Sequence, residues 1–357
     1  MTHSRIAPLI VLAGLAVLAW TAPARLAGQG SVVQSPVVAN ASASPARVAT
    51  PPSKPYVPPK TVDGQPDLQG FWTNSTYTPL ERPANVTKEF YTLEEALAVE
   101  KSAAARESEQ TEPGTVADVH YDFSQFGLDR SQSTFARNLR TSLIVDPPDG
   151  KIPSLTAEGQ KRAADRAAAR KAAGGQYDAV ENMPIGSRCI IMGGAGPPLM
   201  NAGYNANYQI VQGPGVVMIL TEMIHDVRII PIDGRPVPPQ GVRQWTGVSR
   251  GRWEGTTLVV ETTNFNGRNP FRGASEQLKV TERFTRVAPD QISYRFTVED
   301  PSTWAKPWTA EAPMAKTGGP IFEFACHESN YGIANILAGA RADERGAAEA
   351  AAKKGSN

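Results

Sequence analysis

Several side chains in this sequence have the types for acid–base chemistry and stand where their neighbours do not explain them. Glu282 is the first. In QLKVTERFTRV, Leu278, Val280 and Phe284 recur with strand period, and Glu282 falls on the same apolar face. The next run, QISYRFTVED, sets Ile292, Tyr294, Phe296 and Val298 on its inner face. A loop at residues 287–291 brings Phe284 opposite Tyr294 and Glu282 opposite Phe296. A carboxylate on an inner face is costly unless it is paired or hydrogen-bonded. Unpaired, its pKa rises, as in many general acids and bases. The structural alternative is an ion pair with Arg228 or Arg283.

Two further groups fit such chemistry. In TEMIHDVR, Glu222 follows Val216, Met218 and Leu220 in phase, His225 sits at a turn, and Arg228 opens the next strand. Glu222, His225 and Arg228 around one hairpin can form an acid–base cluster at a barrel mouth, with Arg228 stabilising developing negative charge. The bland alternative is a polar turn. In FEFACHESNY, read as a strand, Glu323 and His327 share one face with Ile321 and Ala325. That face lines a polar pocket or meets solvent. The candidate catalytic set is thus Glu282, His225, Glu222, Arg228 and His327.

Other chemistries find little support. After the leader, the histidines are His120, His225 and His327, without H-x-H or H-x-x-x-H spacing. No metal or cofactor is expected. The glycines of GGAGPP precede proline rather than a helix, so no phosphate loop is present, and no G-x-S-x-G elbow occurs. A net charge of +1 gives no footprint for nucleic acid. Trp245, Trp253, Trp304 and Trp308, with Tyr294 and Phe296, either line an apolar cavity for a ring-containing ligand or pack the core. Glu323 joins them as a candidate binding residue.

These residues need a sheet to hold them. NYQIVQ, VVMILTEM, DVRIIPI, RQWTGVS, TLVVETTNF, QLKVTERFTRV, QISYRFTVED, PWTAEAPM and IFEFACHE read as short strands joined by turns. Gly251 and Gly255, around RWEG, supply the turn before TLVVETTNF. Gly70-Phe71-Trp72 reads as a first strand, and SLIVDPPDGKIPSLT as strand, turn, strand. The expected fold is mainly β, an antiparallel meander barrel with a few peripheral helices. A capping box at Thr92 and Glu95 starts one helix, which runs to about Glu107. Residues 156–173 form a second, solvated helix stopped by Gly174 and Gly175.

Residues 1–24 read as a Sec-type signal peptide: Arg5, an apolar run at 6–19, and an A-x-A site at 22–24. Residues 25–62 are a Pro/Ala/Ser-rich spacer, 63–332 the barrel domain, and 333–357 a helical or disordered tail. The expected location is periplasmic or secreted, without stable membrane insertion once the signal is removed. Cys189 and Cys326 are the only cysteines, and a disulfide is the natural reading for that compartment.

The runs GVSRGRWEGTTLVVETTNF, LKVTERFTRV, DPSTWAKPWT and FEFACHESNY resemble a large family of exported bacterial proteins without a settled function. The likeness extends back through RTSLIVDPPDGKIP to DLQGFW and covers roughly residues 63–341. Where the family usually reads G-D-S or G-H-S, this chain has Gly247-Val248-Ser249. The resemblance implies a calycin-like (lipocalin-like) barrel and brings no agreed catalytic residues. Two functions follow as expectations. One is an enzyme using Glu282 for hydrolysis, elimination, hydration or isomerisation of an apolar or aromatic metabolite in the barrel. The other is a non-catalytic carrier of hydrophobic small molecules.

Overall fold

The computed structural model describes residues 56–107, 136, 138–192, 194–201, 204–268, 271–328 and 330–355. The chain divides into two units, Met1–Ala46 and Arg47–Asn357, and the first lies wholly outside the described residues. So do the stretch expected to be a signal peptide, most of the expected spacer and His120.

The second unit is built on one antiparallel sheet. Its strands are β1 (Gly70–Thr73), β2 (Ile144–Asp146), β3 (Asn207–Gly213), β4 (Val216–Thr221), β5 (Val227–Pro231), β6 (Val248–Glu254), β7 (Thr257–Thr263), β8 (Lys279–Ala288), β9 (Gln291–Glu299) and β10 (Trp308–Lys316). Nine run in the order β5-β4-β3-β1-β10-β9-β8-β7-β6, and β2 pairs with β10 off that path. Every step along the path is antiparallel. An odd number of strands cannot alternate all the way round a ring, so β5 and β6 run in the same direction. No ladder joins them among the described residues. They meet through side chains instead: Gly251 lies under Ile230 and Ile232, where an added Cβ would sit 2.9 Å and 2.7 Å from their Cγ2 atoms. The result is a nearly closed barrel with one unpaired seam. Parallel neighbours need a long crossover, and residues 232–247 provide it.

The β8–β9 register is the one that alternation demands, Phe284 opposite Tyr294 and Glu282 opposite Phe296. The connection is tighter than expected, a turn at Pro289 and Asp290 with a bulge between Arg286 and Ala288. Inside the barrel, Trp72, Tyr208, Phe284, Tyr294, Phe296 and Trp308 are completely buried and fill the space. Outside, β6–β10 carry threonine pairs (Thr257–Thr285, Thr297–Thr309) and exposed ion pairs such as Arg283–Glu254.

Several expectations need correction. Gly251 is not part of a turn; it is a β6 residue at the seam, and the turn is Gly255 with Thr256. On β4 the inward residues are Val217, Ile219 and Thr221, whereas Val216, Met218 and Leu220 face out. IFEFACHE is not a strand, because its backbone is held by side chains of the 222–225 turn rather than by a ladder. RQWTG precedes β6 as a loop: Gly247 has φ +70°, and a Cβ there would lie 2.6 Å from the Thr263 carbonyl. After the Pro147–Gly150 turn, residues 151–155 make only an isolated bridge, Leu155 to Trp304. The folded chain also begins before residue 63, since Lys60 bridges Pro66 and the Asp67 N–H donates to the Pro59 carbonyl.

Three helices decorate the sheet among the described residues: α1 (Leu93–Glu107), α2 (Ala157–Ala172) and α3 (Tyr331–Gly355). The capping box of α1 forms in both directions, Glu95 N–H to Thr92 Oγ1 and Thr92 N–H to Glu95 Oε2. α2 is mostly exposed, as its composition suggests, but one face docks. Gly159 is buried there, with room for no Cβ against the Thr303 carbonyl at 2.7 Å. None of α3's residues is buried.

The seam is testable. Gly251→Val forces branched carbon into two branched isoleucines, which cannot swing aside cheaply. It should cost about 1–3 kcal/mol in urea unfolding, the usual range for overpacking. Gly255→Asn, at φ +61° in open space, should cost far less. Equal midpoints for the two variants would mean the seam is loose.

Candidate functional site

Glu282 lies inside the barrel with no exposure, and its carboxylate accepts three hydrogen bonds. Arg228 Nη1 donates to Oε2 at 2.7 Å and Nη2 to Oε1 at 3.2 Å. The Tyr294 hydroxyl donates to Oε1 at 2.8 Å and itself accepts the Leu199 N–H at 2.8 Å. Burial first, and then the adjacent Glu282 charge, push the Tyr294 phenol well above its ordinary pKa, so it stays a donor. Tyr208, also pushed up by burial, directs its hydroxyl to Asn74 Oδ1 at 3.3 Å beside the Gly194 and Met200 carbonyls. Two buried tyrosines thus fasten the 194–200 segment to the barrel interior.

The other acid–base candidates do not join Glu282. Glu222 is 2% exposed, at the start of a 3-10 turn, Met223–His225. It accepts from Asn207 Nδ2 at 2.6 Å and from the Phe322 N–H at 3.3 Å, and no cation pairs with it among the described residues. Burial pushes its carboxyl above the ordinary glutamate pKa, against the hydrogen bonds from Asn207, Phe322 and Asn205. His225 is exposed, and its Nδ1 lies 2.9 Å from the Phe324 carbonyl, the geometry of a donating Nδ1–H. Glu323 and His327 are exposed on the loop beyond β10. That loop is tied by a disulfide between Cys189 and Cys326. Glu222 and His225 therefore hold the 322–324 segment, and Arg228 alone reaches Glu282.

The aromatic candidates separate in the same way. Tyr294, Phe296 and Trp308 are core residues in mutual ring contact, with centroids 5.6 and 5.9 Å apart along the row. Trp253 packs against the core from the sheet. Trp245 stands apart from these four. It lines a cleft of about 490 Å³ with Ile191, Met192, Met200, Phe265 and Phe271. Phe271 is backed by Trp308 at 6.1 Å, ring over ring.

A second cleft, of about 890 Å³, is lined by other residues of the 264–278 connection. Arg162, Arg166, Arg243 and Asn264 line it. Its rim is knotted by Asp300, which accepts from Ser275, Ser302 and Thr303. Burial pushes the Asp300 carboxyl up, but these donors outweigh it and hold it below the ordinary value. None of Glu282, Glu222, Arg228, His225 or His327 lines either cleft.

The sequence reading missed both clefts. The apolar one is made by a Gly/Pro-rich loop without periodicity. The polar one left a faint mark: Gly159, Arg162 and Arg166 fall on one face of α2. Against protein-family models, curated proteins and solved structures, the chain shows no match.

Two predictions follow from the buried acids. Glu282→Gln leaves the Arg228 charge sealed without a counter-charge, so it should lose about 3–5 kcal/mol of folding stability. Adding Arg228→Met removes the orphan and should recover much of that loss in a four-variant denaturation cycle. Additive losses would show that the two side chains do not act as a pair. For Glu222, a raised folded pKa means the folded protein binds more protons than the unfolded chain, from the ordinary glutamate pKa up to the raised one. Stability should fall as pH rises through that window. The pH profile of Glu222→Gln should be flatter there, and parallel profiles would contradict the assignment.

Proposed function

We propose that this protein is an exported carrier of small, neutral, ring-containing molecules, bound in the cleft beside Trp245. The observation that carries this reading is the cleft's lining: two methionines, two isoleucines, three prolines and three aromatic side chains, with Asn201, Thr246 and Arg272 as its polar groups, around about 490 Å³. That is within the size range of ordinary small-molecule sites, roughly 300–1,000 Å³. Methionine adapts its shape to a ligand, and flat aromatic walls favour rings. The cleft's floor is fixed, because Leu199, between Pro198 and Met200, is bonded to Tyr294 and Asn74.

An acid–base enzyme is less well supported. Its central carboxylate, Glu282, has no exposed surface and lines neither cleft. A transforming enzyme needs such a group within hydrogen-bond reach of substrate. The signal peptide read at residues 1–24 supports export to the periplasm or beyond, and the disulfide is compatible with an oxidising compartment. No described helix is long and apolar enough to cross a membrane. The barrel and the GRWEGTTLVVETTNF-type motifs support a lipocalin-like relationship within the exported bacterial family.

The test uses a neutral fluorescent probe, N-phenyl-1-naphthylamine. It should bind saturably and be displaced by small aromatic compounds that are recovered chemically unchanged. Trp245→Ala and Phe271→Ala should each weaken binding roughly tenfold, about 1.4 kcal/mol. Absence of displaceable binding, or turnover abolished by a folded Glu282→Gln, would overturn the carrier reading.

A further inference from the structure

The cleft lined by Arg162, Arg166 and Arg243 has a chemistry that apolar-ligand binding does not use. Three guanidiniums line it, against two carboxylates, Glu158 and Glu276. The cations are the better-buried partners. Arg162 is 19% exposed against 67% for Glu158, and Arg243 is 28% exposed against 57% for Glu276. Pairs with so exposed a carboxylate hold weakly and can be displaced.

The arginines are positioned from behind by backbone. Arg166 donates to the Gly273 and Ala274 carbonyls at 3.0 and 3.2 Å. Arg243 donates to the Phe265 and Glu276 carbonyls at 3.0 and 3.2 Å, and Arg162 to the Ser302 carbonyl at 3.3 Å. A carbonyl orients a guanidinium but cancels none of its charge. No carboxylate forms an ion pair with Arg166 among the described residues. Burial, followed by the like charges of Arg162 and Arg170, lowers the Arg166 pKa from its ordinary value, against the smaller opposing pull of the Asp300 carboxylate on the rim.

We propose that this cleft is a binding site for a small organic oxyanion, a carboxylate or phosphate group on a polar body. Arginine forks match such groups in two-point contacts, and preset forks lose less freedom on binding. The volume, about 890 Å³, exceeds what a lone inorganic ion fills, so the site has room for the body that carries the charge. Apart from Leu278 and Gly267, the remaining lining carries hydrogen-bonding side chains, Gln240, Gln277 and Ser275 among them, and suits hydroxyl or amide groups. The site stands independently of the apolar cleft, so failure of one proposal leaves the other in place.

The test is calorimetric titration of the full chain with citrate and with glucose 6-phosphate, at ionic strength held constant with sodium chloride. At least one should bind saturably; citrate alone indicates a carboxylate ligand, and glucose 6-phosphate alone a phosphate ester. Arg166→Gln and Arg243→Gln should each weaken binding tenfold or more. Arg295→Gln, which removes the same charge from the exposed outer face of β9, should leave it unchanged. Glu276→Gln frees Arg243 and should tighten binding severalfold, a gain that misfolding cannot imitate. No saturable heat from either probe would overturn the proposal, as would equal weakening by Arg295→Gln and Arg166→Gln.

Discussion

The contact between Arg228 and Glu282 is the one on which the barrel's closure rests. Placing two charges in a sealed interior is unfavourable unless they are well paired, and here the carboxylate receives three donors while Arg228 gives both Nη groups to it and keeps only Nε without a partner. The position of the pair gives it a further consequence. Arg228 is on β5, one bank of the unpaired seam; Glu282 is on β8, on the other side beyond β6 and β7. Strand parity denies that seam a hydrogen-bond ladder. The ion pair crosses beneath it through the core, while Ile230 and Ile232 press on Gly251 in the wall. Backbone geometry leaves a gap, and side chains close it.

The same network determines where a ligand can go. Tyr294 carries the pair's hydrogen bonding outward to Leu199, and Tyr208 reaches the Gly194 and Met200 carbonyls. Both rings occupy interior volume that a hollow barrel would leave for a ligand. The segment they hold is tied again through Cys189 to Cys326, 137 residues further along. Closing a loop of that length removes about 5 kcal/mol of unfolded-state freedom in the chain-entropy account. A plugged interior and a fastened covering segment shift the available clefts to the loops at one end of the sheet. Those loops connect β3's approach, the β5–β6 crossover and the β7–β8 connection.

The sequence showed its strands where alternation was undisturbed. In β9 every second residue is apolar and in β8 Val280 and Phe284 keep the same phase, no proline interrupts, and one face alone can be buried, so even the cross-strand partners were readable. Glu282 was legible as inward for the same reason, and Arg228 as its possible partner. The β4 phase misled, because VVMIL is apolar on both faces and periodicity cannot choose between them. FEFACHE alternates like a strand, yet it lies in a loop fastened by Glu222, His225 and a disulfide, none of which leaves a periodic trace. The clefts were hidden for a related reason. Met192, Met200, Trp245, Phe271 and Arg243 come from distant loops, and only tertiary packing brings them together.

Burial and function part company at this site. An ionisable residue on an inner strand face suggested catalysis, because a carboxylate kept from water has a shifted pKa and a reason to be there. Glu282 has a structural reason to be there: it is the counter-charge that lets Arg228 span the seam. The arginines of the outer cleft show the reverse arrangement. They are only partly buried, Arg162 and Arg166 sit on a helix whose composition reads as plain surface, and carbonyls orient all three while the carboxylates that pair with Arg162 and Arg243 are exposed. A charge whose hydrogen bonds are directed but whose field is not cancelled remains able to attract a ligand. Neutralisation, more than depth, separates the structural ion pair from the candidate binding groups.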